Sequence, residues 1–222
     1  MSGCLVLLSG GQDSTTCLYW AKKKWDRVKA IGFDYGQKHD VELQVARMIA
    51  DDAGVEFEVV DLKGVFVGSS LVDHDQDVTA PHSINSDLPS SFTAGRNAVF
   101  LSVAAGRAYQ DGIKHLVTGV CQTDYSGYPD CRRDFIDSME QGLSLALEKE
   151  LQVHTPLMSL TKAETWKMAK DLGCLGVIIE HTHTDYNGNR LQFNEWGYGV
   201  LDNPASELRA KGFYEAQTNG WI

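Results

Sequence analysis

Seven consecutive residues near the start of the chain, Ser9-Gly10-Gly11-Gln12-Asp13-Ser14-Thr15, have the composition of a binding site for an anion. The two glycines allow a sharp turn and leave room for a ligand close to the backbone. Asp13, Ser14 and Thr15 suit the first turn of a helix, where unpaired N–H groups and the helix dipole attract negative charge. No Gly-Lys-Ser/Thr follows, so this is not a Walker loop. The segment predicts a phosphate-binding turn, and the alternative is a glycine-rich turn that binds nothing.

The elements around this loop predict an α/β fold. The apolar run Cys4–Leu8 precedes the loop and has the length of a buried strand. Further strands are predicted over 31–33, 56–60, 115–118 and 151–155, with helices over 14–25, 40–53, 97–110, 132–149 and 161–172. This alternation indicates a Rossmann-like, doubly wound parallel sheet. Ligands bind beyond the carboxyl ends of the strands in such sheets, and the loop lies at that edge.

The last part of the chain has a different character. Residues 180–222 hold many glycine, asparagine and aromatic residues and show little periodicity. We therefore expect a small, irregular C-terminal appendage packed on the sheet domain. The predicted division is an α/β domain at 1–178 and the appendage at 179–222.

Composition restricts the classes of partner. The 222 residues carry a net charge of −10, which argues against non-specific binding to nucleic acid or to an anionic membrane. No apolar stretch reaches the length of a membrane span. The five cysteines are scattered without metal spacing, as expected of reduced thiols in the cytoplasm. A cytoplasmic protein without nucleic-acid or membrane partners is expected.

Several further motifs occur in order along nearly the whole chain. They are Ser9–Ser14, Phe33–Gln37, Gly95–Asn97, Thr123–Arg132, Thr155–Leu157, Lys162–Glu164, His181–Thr182, Tyr186–Gly188 and Leu208–Phe213. The first resembles the loop of the ATP pyrophosphatases, and together they resemble the 7-cyano-7-deazaguanine synthase (QueC) family of that superfamily. The resemblance implies use of ATP with Mg²⁺. It also implies conversion of 7-carboxy-7-deazaguanine and ammonia, through an amide, to a nitrile.

The expected site residues follow from this resemblance and from side-chain chemistry. The candidate catalytic residues are Asp13, Ser14, Lys162 and Arg96. Lys162 is expected to clamp the α-phosphate, and the alternative is a solvated lysine. Arg96 is expected to contact an anion, and the alternative is a structural ion pair. The nucleotide is expected to contact Ser9, Gly10, Gly11, Gln12, Asp13, Ser14, Thr15, Asp34, Tyr35, Gly36, His39 and Gly119. The deazaguanine is expected to contact Asp124, Tyr125, Ser126, Tyr128, Asp130 and Arg132, unless that loop packs only on itself.

The chain departs from the resembled family in its C-terminal appendage. The family holds one zinc there through four cysteines, and the matching positions here are Asp185, Val200, Asn203 and Ser206. Valine cannot ligate a metal, so zinc is not expected and no metal site is assigned. The alternating residues His181, His183 and Asp185 are a weaker metal candidate, because ordinary polar roles are commoner.

Three functions remain open at this level. The preferred one is a nitrile-forming synthase that uses ammonia. In the second, an activated deazaguanine is joined to a protein amine, as in similar paralogues of antiviral defence operons. Gln122 stands where an acidic residue is expected, and this change permits the second function. Such a partner would dock on Trp196, Tyr198, Phe213 and Trp221, which would otherwise form a local core. The third is an inactive nucleotide- or deazaguanine-binding protein. The resemblance suggests a homodimer.

Overall fold

A five-stranded parallel sheet forms the centre of the molecule. The computed structural model describes residues 3–37, 41–67, 69, 71, 88, 90–122, 128–184 and 190–222. The strands are β1 (Gly3–Leu7), β2 (Arg27–Asp34), β3 (Glu56–Asp61), β4 (His115–Val117) and β5 (Gln152–His154). Their spatial order is β3-β2-β1-β4-β5, and every neighbouring pair is parallel. All five carboxyl ends therefore lie at one edge of the sheet.

Helices cover both faces of this sheet. They are α1 (Gln12–Lys24), α2 (Val41–Ala53), α3 (Arg96–Gln110), α4 (Arg133–Leu147), α5 (Lys162–Asp171), α6 (Leu175–His181) and α7 (Pro204–Thr218), with a 3-10 turn at Pro129–Cys131. Successive residues of a strand point to opposite faces. Leu5 accordingly packs with Leu101 and Ile136 of α3 and α4, whereas Val6 packs with residues of α1 and α2, including Leu18. The Rossmann-like fold class is confirmed.

The C-terminal region is more regular than its sequence indicated. It contains the short hairpin β6 (Phe193–Asn194) and β7 (Gly197–Tyr198), followed by the 15-residue helix α7. Asn203 caps α7 and Pro204 occupies its first turn, which is a common helix start. The apolar pattern of α7 is weak because Ser206 and Arg209 are both buried on its inner side. The expectation of an irregular appendage is corrected for this helix.

The appendage packs on the sheet domain through a third cluster. Trp166 of α5, Ile178 of α6 and Phe213 of α7 are buried together with Trp196. Helix α6 runs across residue 178, where the domain boundary was predicted, and the division into two domains stays a prediction. None of the helices in the described ranges combines the length and hydrophobicity needed to cross a bilayer.

Candidate functional site

A cavity of about 360 Å³ opens at the carboxyl edge of the sheet. The loop after β1 forms one wall, and the ends of β2 and β4 form the floor. The starts of α2 and α3 and residues of the C-terminal region complete the lining. This is where ligands bind in open α/β sheets.

The Ser9–Thr15 loop is held by its own side chains. Ser14 Oγ accepts a hydrogen bond from the backbone N–H of Ser9 at 3.1 Å, and it lies 3.1 Å from Ser9 Oγ. Helix α1 begins at Gln12, so the first turn points its N–H groups toward the cavity end of the sheet. Gln12 is 3% exposed and lines the cavity, and its Nε2 has no hydrogen-bond partner in the described part of the chain. The loop thus offers donors that suit an anion.

Gly10 is the residue that allows the loop its shape. Its φ of +84° lies in the left-handed region, which strongly favours glycine. A Cβ at this position would lie 2.4 Å from the carbonyl oxygen of Glu42 and 2.9 Å from the amide nitrogen of Ala46. Helix α2 therefore approaches the loop so closely that a side chain does not fit.

Lys162 meets the loop from a different part of the chain. Its Nζ donates to both carboxylate oxygens of Asp13, at 3.0 and 2.8 Å. The Lys162 side chain is 10% exposed, and its role as a clamp on the α-phosphate stays a prediction. The predicted capping box of Thr161 and Glu164 is present and begins α5 at Lys162. The cap and the ion pair together fix the ammonium at the cavity.

The opposite wall is aromatic and carries two charged groups. Phe33 and Phe100 stack with ring centroids 4.3 Å apart, and both line the cavity. Burial raises the pKa of the nearby Tyr35 phenol to about 12, although the Arg96 guanidinium opposes this. Burial also raises the pKa of Glu42 to about 7, again against the effect of Arg96. This wall can hold a flat ring next to one cation and one weakly acidic carboxyl group.

The cavity gathers many of the predicted site residues. Those that line it are Ser9, Gly11, Gln12, Asp13, Ser14, Tyr35, Arg96, Gly119, Tyr128 and Lys162. Gly10, Thr15, Asp34, Gly36, Asp130 and Arg132 do not belong to its lining. His39, Asp124, Tyr125 and Ser126 lie outside the described residues.

Two of the residues away from the lining have contacts of their own, and a third is exposed. Asp34 accepts from the Gly36 N–H at 3.3 Å and forms an ion pair with Lys63 at 2.7 Å. Asp130 is 7% exposed and accepts from the backbone N–H of Asn97 at 3.0 Å, near the start of α3. Arg132 is exposed at the start of α4. Their predicted contacts with ligands stay predictions.

Sequence reasoning missed several residues of this site. Glu42, Thr184 and Arg209 line the cavity but received no role, and His183, which also lines it, was considered only as part of the weaker metal candidate. Arg209 stands inside a motif of the resemblance, Leu208–Phe213, which was the available signal. Glu42 lies beyond the motif Phe33–Gln37, in the segment 40–53. The periodicity of that segment predicted a helix and gave no sign of a functional residue.

The residues at the family's zinc positions do not suit zinc. The side-chain oxygen of Asn203 accepts from the Ser206 N–H at 3.1 Å, and Asn203 Nδ2 lies 3.2 Å from Ser206 Oγ. These atoms cap α7, Val200 offers no ligand atom, and Asp185 lies outside the described residues. Within the described ranges no group of three or more metal-binding side chains is assembled. His183 is 1% exposed beside the loop, and its backbone N–H donates to the Gly10 carbonyl at 3.1 Å.

Comparison with known proteins agrees with this arrangement. A sequence model of the family described as "Queuosine biosynthesis protein QueC" matches residues 3–217. The 7-cyano-7-deazaguanine synthase of Wolinella succinogenes is 43% identical over 221 residues, covering 98% of this chain and 95% of the relative. The protein of that name from Caulobacter vibrioides is 44% identical over 229 residues, covering 95% and 92%.

A solved structure supports the fold independently. A 4-thiouridine synthetase in complex with RNA and bound ATP matches with a TM-score of 0.53 at 17% identity, over 80% of this chain and 42% of that one. At this identity the likeness concerns the fold alone. Because the family match spans residues 3–217 and the named relatives share more than two fifths of their residues with it, the chain belongs to the QueC family.

Proposed function

We propose that this chain is a 7-cyano-7-deazaguanine synthase that consumes ATP and releases AMP and pyrophosphate. The single observation that carries the proposal is the contact of Lys162 with Asp13 beside the Ser9–Thr15 loop. It joins a positive charge to an anion-binding turn in one cavity, opposite an aromatic wall. The names of the relatives match this function.

The loop binds the pyrophosphate part of ATP. The N–H groups at the start of α1 and the Gln12 Nε2 donor face anionic oxygens, and Ser14 keeps the loop in shape. Lys162 exchanges part of its contact with Asp13 for the α-phosphate. Mg²⁺ suits this site because it binds through one or two carboxylates together with substrate phosphates, and Asp13 supplies such a carboxylate. The ion would neutralise phosphate charge.

The reaction activates a poor electrophile. A carboxylate oxygen of 7-carboxy-7-deazaguanine attacks the α-phosphorus, the bond to the bridging oxygen breaks, and pyrophosphate leaves. Ammonia attacks the acyl carbon of the adenylate, and AMP leaves with loss of a proton to give the amide. The amide oxygen then attacks the α-phosphorus of a second ATP and pyrophosphate leaves, and loss of AMP and two protons from the adenylated amide gives the nitrile. Positioning and charge stabilisation supply most of the catalysis in such transfers.

The deazaguanine occupies the side of the cavity near Tyr128 and Arg96. Tyr128 is 8% exposed, and its hydroxyl shares a hydrogen bond with Ser91 Oγ at 2.7 Å. The Arg96 guanidinium lies 5.9 Å from the centre of the Tyr128 ring. A rigid ring beside a cation suits a flat base that carries a carboxylate. The adenine or ribose of ATP packs against Tyr35 and the stacked rings of Phe33 and Phe100.

The alternative acceptor, a protein amine, gains no specific support. Trp196 and Phe213 are 2% and 5% exposed and form part of the third cluster, so they are core residues rather than docking residues. The Gln122 side-chain oxygen accepts from the Arg133 N–H at 3.1 Å, which makes it a cap for α4. Ammonia therefore remains the proposed acceptor.

The test supplies purified protein with Mg-ATP, 7-carboxy-7-deazaguanine and ammonia. We expect pyrophosphate, AMP and a nitrile product by mass spectrometry. Ser14→Ala removes the acceptor for the Ser9 N–H and should slow pyrophosphate release by about a hundredfold, the usual effect of losing one preorganised contact. Ser102→Ala is the control, because Ser102 is exposed on α3.

Three outcomes would contradict the proposal in different ways. Release of ADP and phosphate would refute adenylation. Absence of turnover with retained binding of ATP or deazaguanine would indicate an inactive binding protein. If neither amide nor nitrile forms, and an added partner protein gains the mass of a deazaguanine acyl group, the acceptor is a protein amine.

A further inference from the structure

Arg209 of α7 is a buried cation at the wall of the cavity. It is 1% exposed, and the cavity lining includes it. Its Nε donates to the Trp196 carbonyl and its Nη2 to the Ile178 carbonyl, both at 2.9 Å. The Trp166 ring lies 5.5 Å from the guanidinium carbon. These contacts fix the guanidinium plane between α5, α6 and the β6–β7 hairpin.

The remaining contacts of Arg209 reach the segment 182–184. Nη1 donates to Thr182 Oγ1 and to Thr184 Oγ1, each at 2.8 Å. The backbone N–H of His183, between these two threonines, donates to the Gly10 carbonyl at 3.1 Å. A chain of hydrogen bonds therefore connects Arg209 to the Ser9–Thr15 loop.

The charge of Arg209 is not neutralised by a hydrogen-bonded carboxylate among the described residues. Its four hydrogen bonds all go to neutral carbonyl and hydroxyl oxygens. Burial lowers the pKa of Arg209 to about 9, while the negative charge of Asp13 opposes this and the positive charge of Arg190 adds to it. The group is still protonated at neutral pH. An unneutralised buried charge attracts an anion in the adjoining space.

We propose that Arg209 is a positioning residue of the nucleotide site, which holds segment 182–184 against the Ser9–Thr15 loop and stabilises phosphate charge in the cavity. The second part rests on the proposed function as an ATP-dependent enzyme. The first part does not, because the contacts exist in the protein without a ligand. The guanidinium is suited to both parts, since its fixed fork makes several bonds and keeps its charge.

The experiment compares Arg209→Lys and Thr184→Val with the control Lys211→Met. Arg209→Lys keeps the positive charge but loses the fixed planar set of N–H donors of the guanidinium. Thr184→Val keeps the side-chain shape and removes one acceptor, so it remains informative if Arg209→Lys folds poorly. Lys211 is exposed on the same helix, and its replacement removes a positive charge without touching the cavity. Hydrogen exchange is measured without ligand at 182–184 and at 9–15, and the kinetic constants for ATP are measured in the full reaction.

Both test variants should exchange faster than wild type at 182–184 and also at 9–15. Arg209→Lys should raise the KM for ATP by about tenfold, with kcat changed less, because an interaction with bound nucleotide is weakened. Lys211→Met should match wild type in every measurement. The proposal would be overturned if faster hydrogen exchange were confined to α6 and α7, while exchange at 9–15 and the KM for ATP stayed at the wild-type values. If wild type turns over no ATP, the proposed function fails, and the exchange of the loop still decides whether Arg209 positions it.

Discussion

The Lys162 ammonium donates to both carboxylate oxygens of Asp13, although the two residues are 149 positions apart. Asp13 belongs to the first turn of α1 and Lys162 to the first residue of α5. A lysine at the start of a helix opposes the helix dipole, so the position is unfavourable without a nearby anion. Asp13 supplies that anion in the free protein, and a phosphate would supply it when nucleotide is bound.

Lys162→Met should slow pyrophosphate release by about a hundredfold while leaving the fold intact. The substitution keeps an unbranched apolar side chain but removes the charge that we propose stabilises the α-phosphate. Pyrophosphate release under saturating ATP measures the effect, with circular dichroism as the check on folding. Lys167→Met is the matched control, because Lys167 lies on the same helix in an exposed pair with Asp171. Equal activity of both variants would show that Lys162 has no part in the reaction.

Gly10→Ala should lower the free energy of unfolding by about 2 kcal/mol or more, because a left-handed backbone and a close contact are both penalised. The new Cβ would lie 2.4 Å from the Glu42 carbonyl oxygen. Gly54→Ala is the control, since Gly54 also has a positive φ but has no atom within 4 Å of a Cβ. Urea denaturation of both variants separates the contact from the backbone effect. Similar losses for the two would argue against tight packing of α2 on the loop.

Glu42 should make stability depend on pH. Burial raises its folded-state pKa from 4.5 to about 7, so the folded protein holds this proton at pH values where the unfolded chain has lost it. The resulting stabilisation is complete below pH 4.5 and is lost as the pH rises through about 7. Glu42→Gln cannot titrate, so its stability relative to wild type should improve over that window and then level off. Denaturation between pH 5 and 8 measures the difference.

The control for this comparison is Glu215→Gln, an exposed position on α7. Its stability should follow wild type in parallel at every pH. A Glu42→Gln curve that also ran parallel to wild type would show that the carboxyl group is not shielded as the cavity suggests.

Untagged protein should contain well under one zinc per chain, and a chelator should leave its melting temperature unchanged. The side-chain atoms of Asn203 and Ser206 are engaged in capping α7, and Val200 cannot bind a metal. Elemental analysis and thermal denaturation with and without chelator test this. Stoichiometric, tightly held zinc would contradict the prediction and would direct attention to His181, His183 and Asp185.

Local features of the fold were predictable because contiguous residues produce them. The apolar run Cys4–Leu8, the glycines of the following loop and the capping box of Thr161 and Glu164 act over a few residues. The five predicted helices are confirmed to within two residues at each end, whereas strand β2 begins at Arg27, four residues before the predicted start. The family was identified for the same reason, since its motifs are short and occur in order.

Three features depended on tertiary structure. They are the pairing of Asp13 with Lys162, the place of Glu42 in the cavity and the contacts of Arg209. Each joins groups that the path of the chain brings together from distant positions, and no local pattern encodes their distance. Helix α7 was missed because Ser206 and Arg209 are buried polar residues, which disturb the apolar periodicity that reveals a helix. Such residues are stable inside only when partners elsewhere in the chain satisfy their hydrogen bonds, and the folded chain supplies those partners.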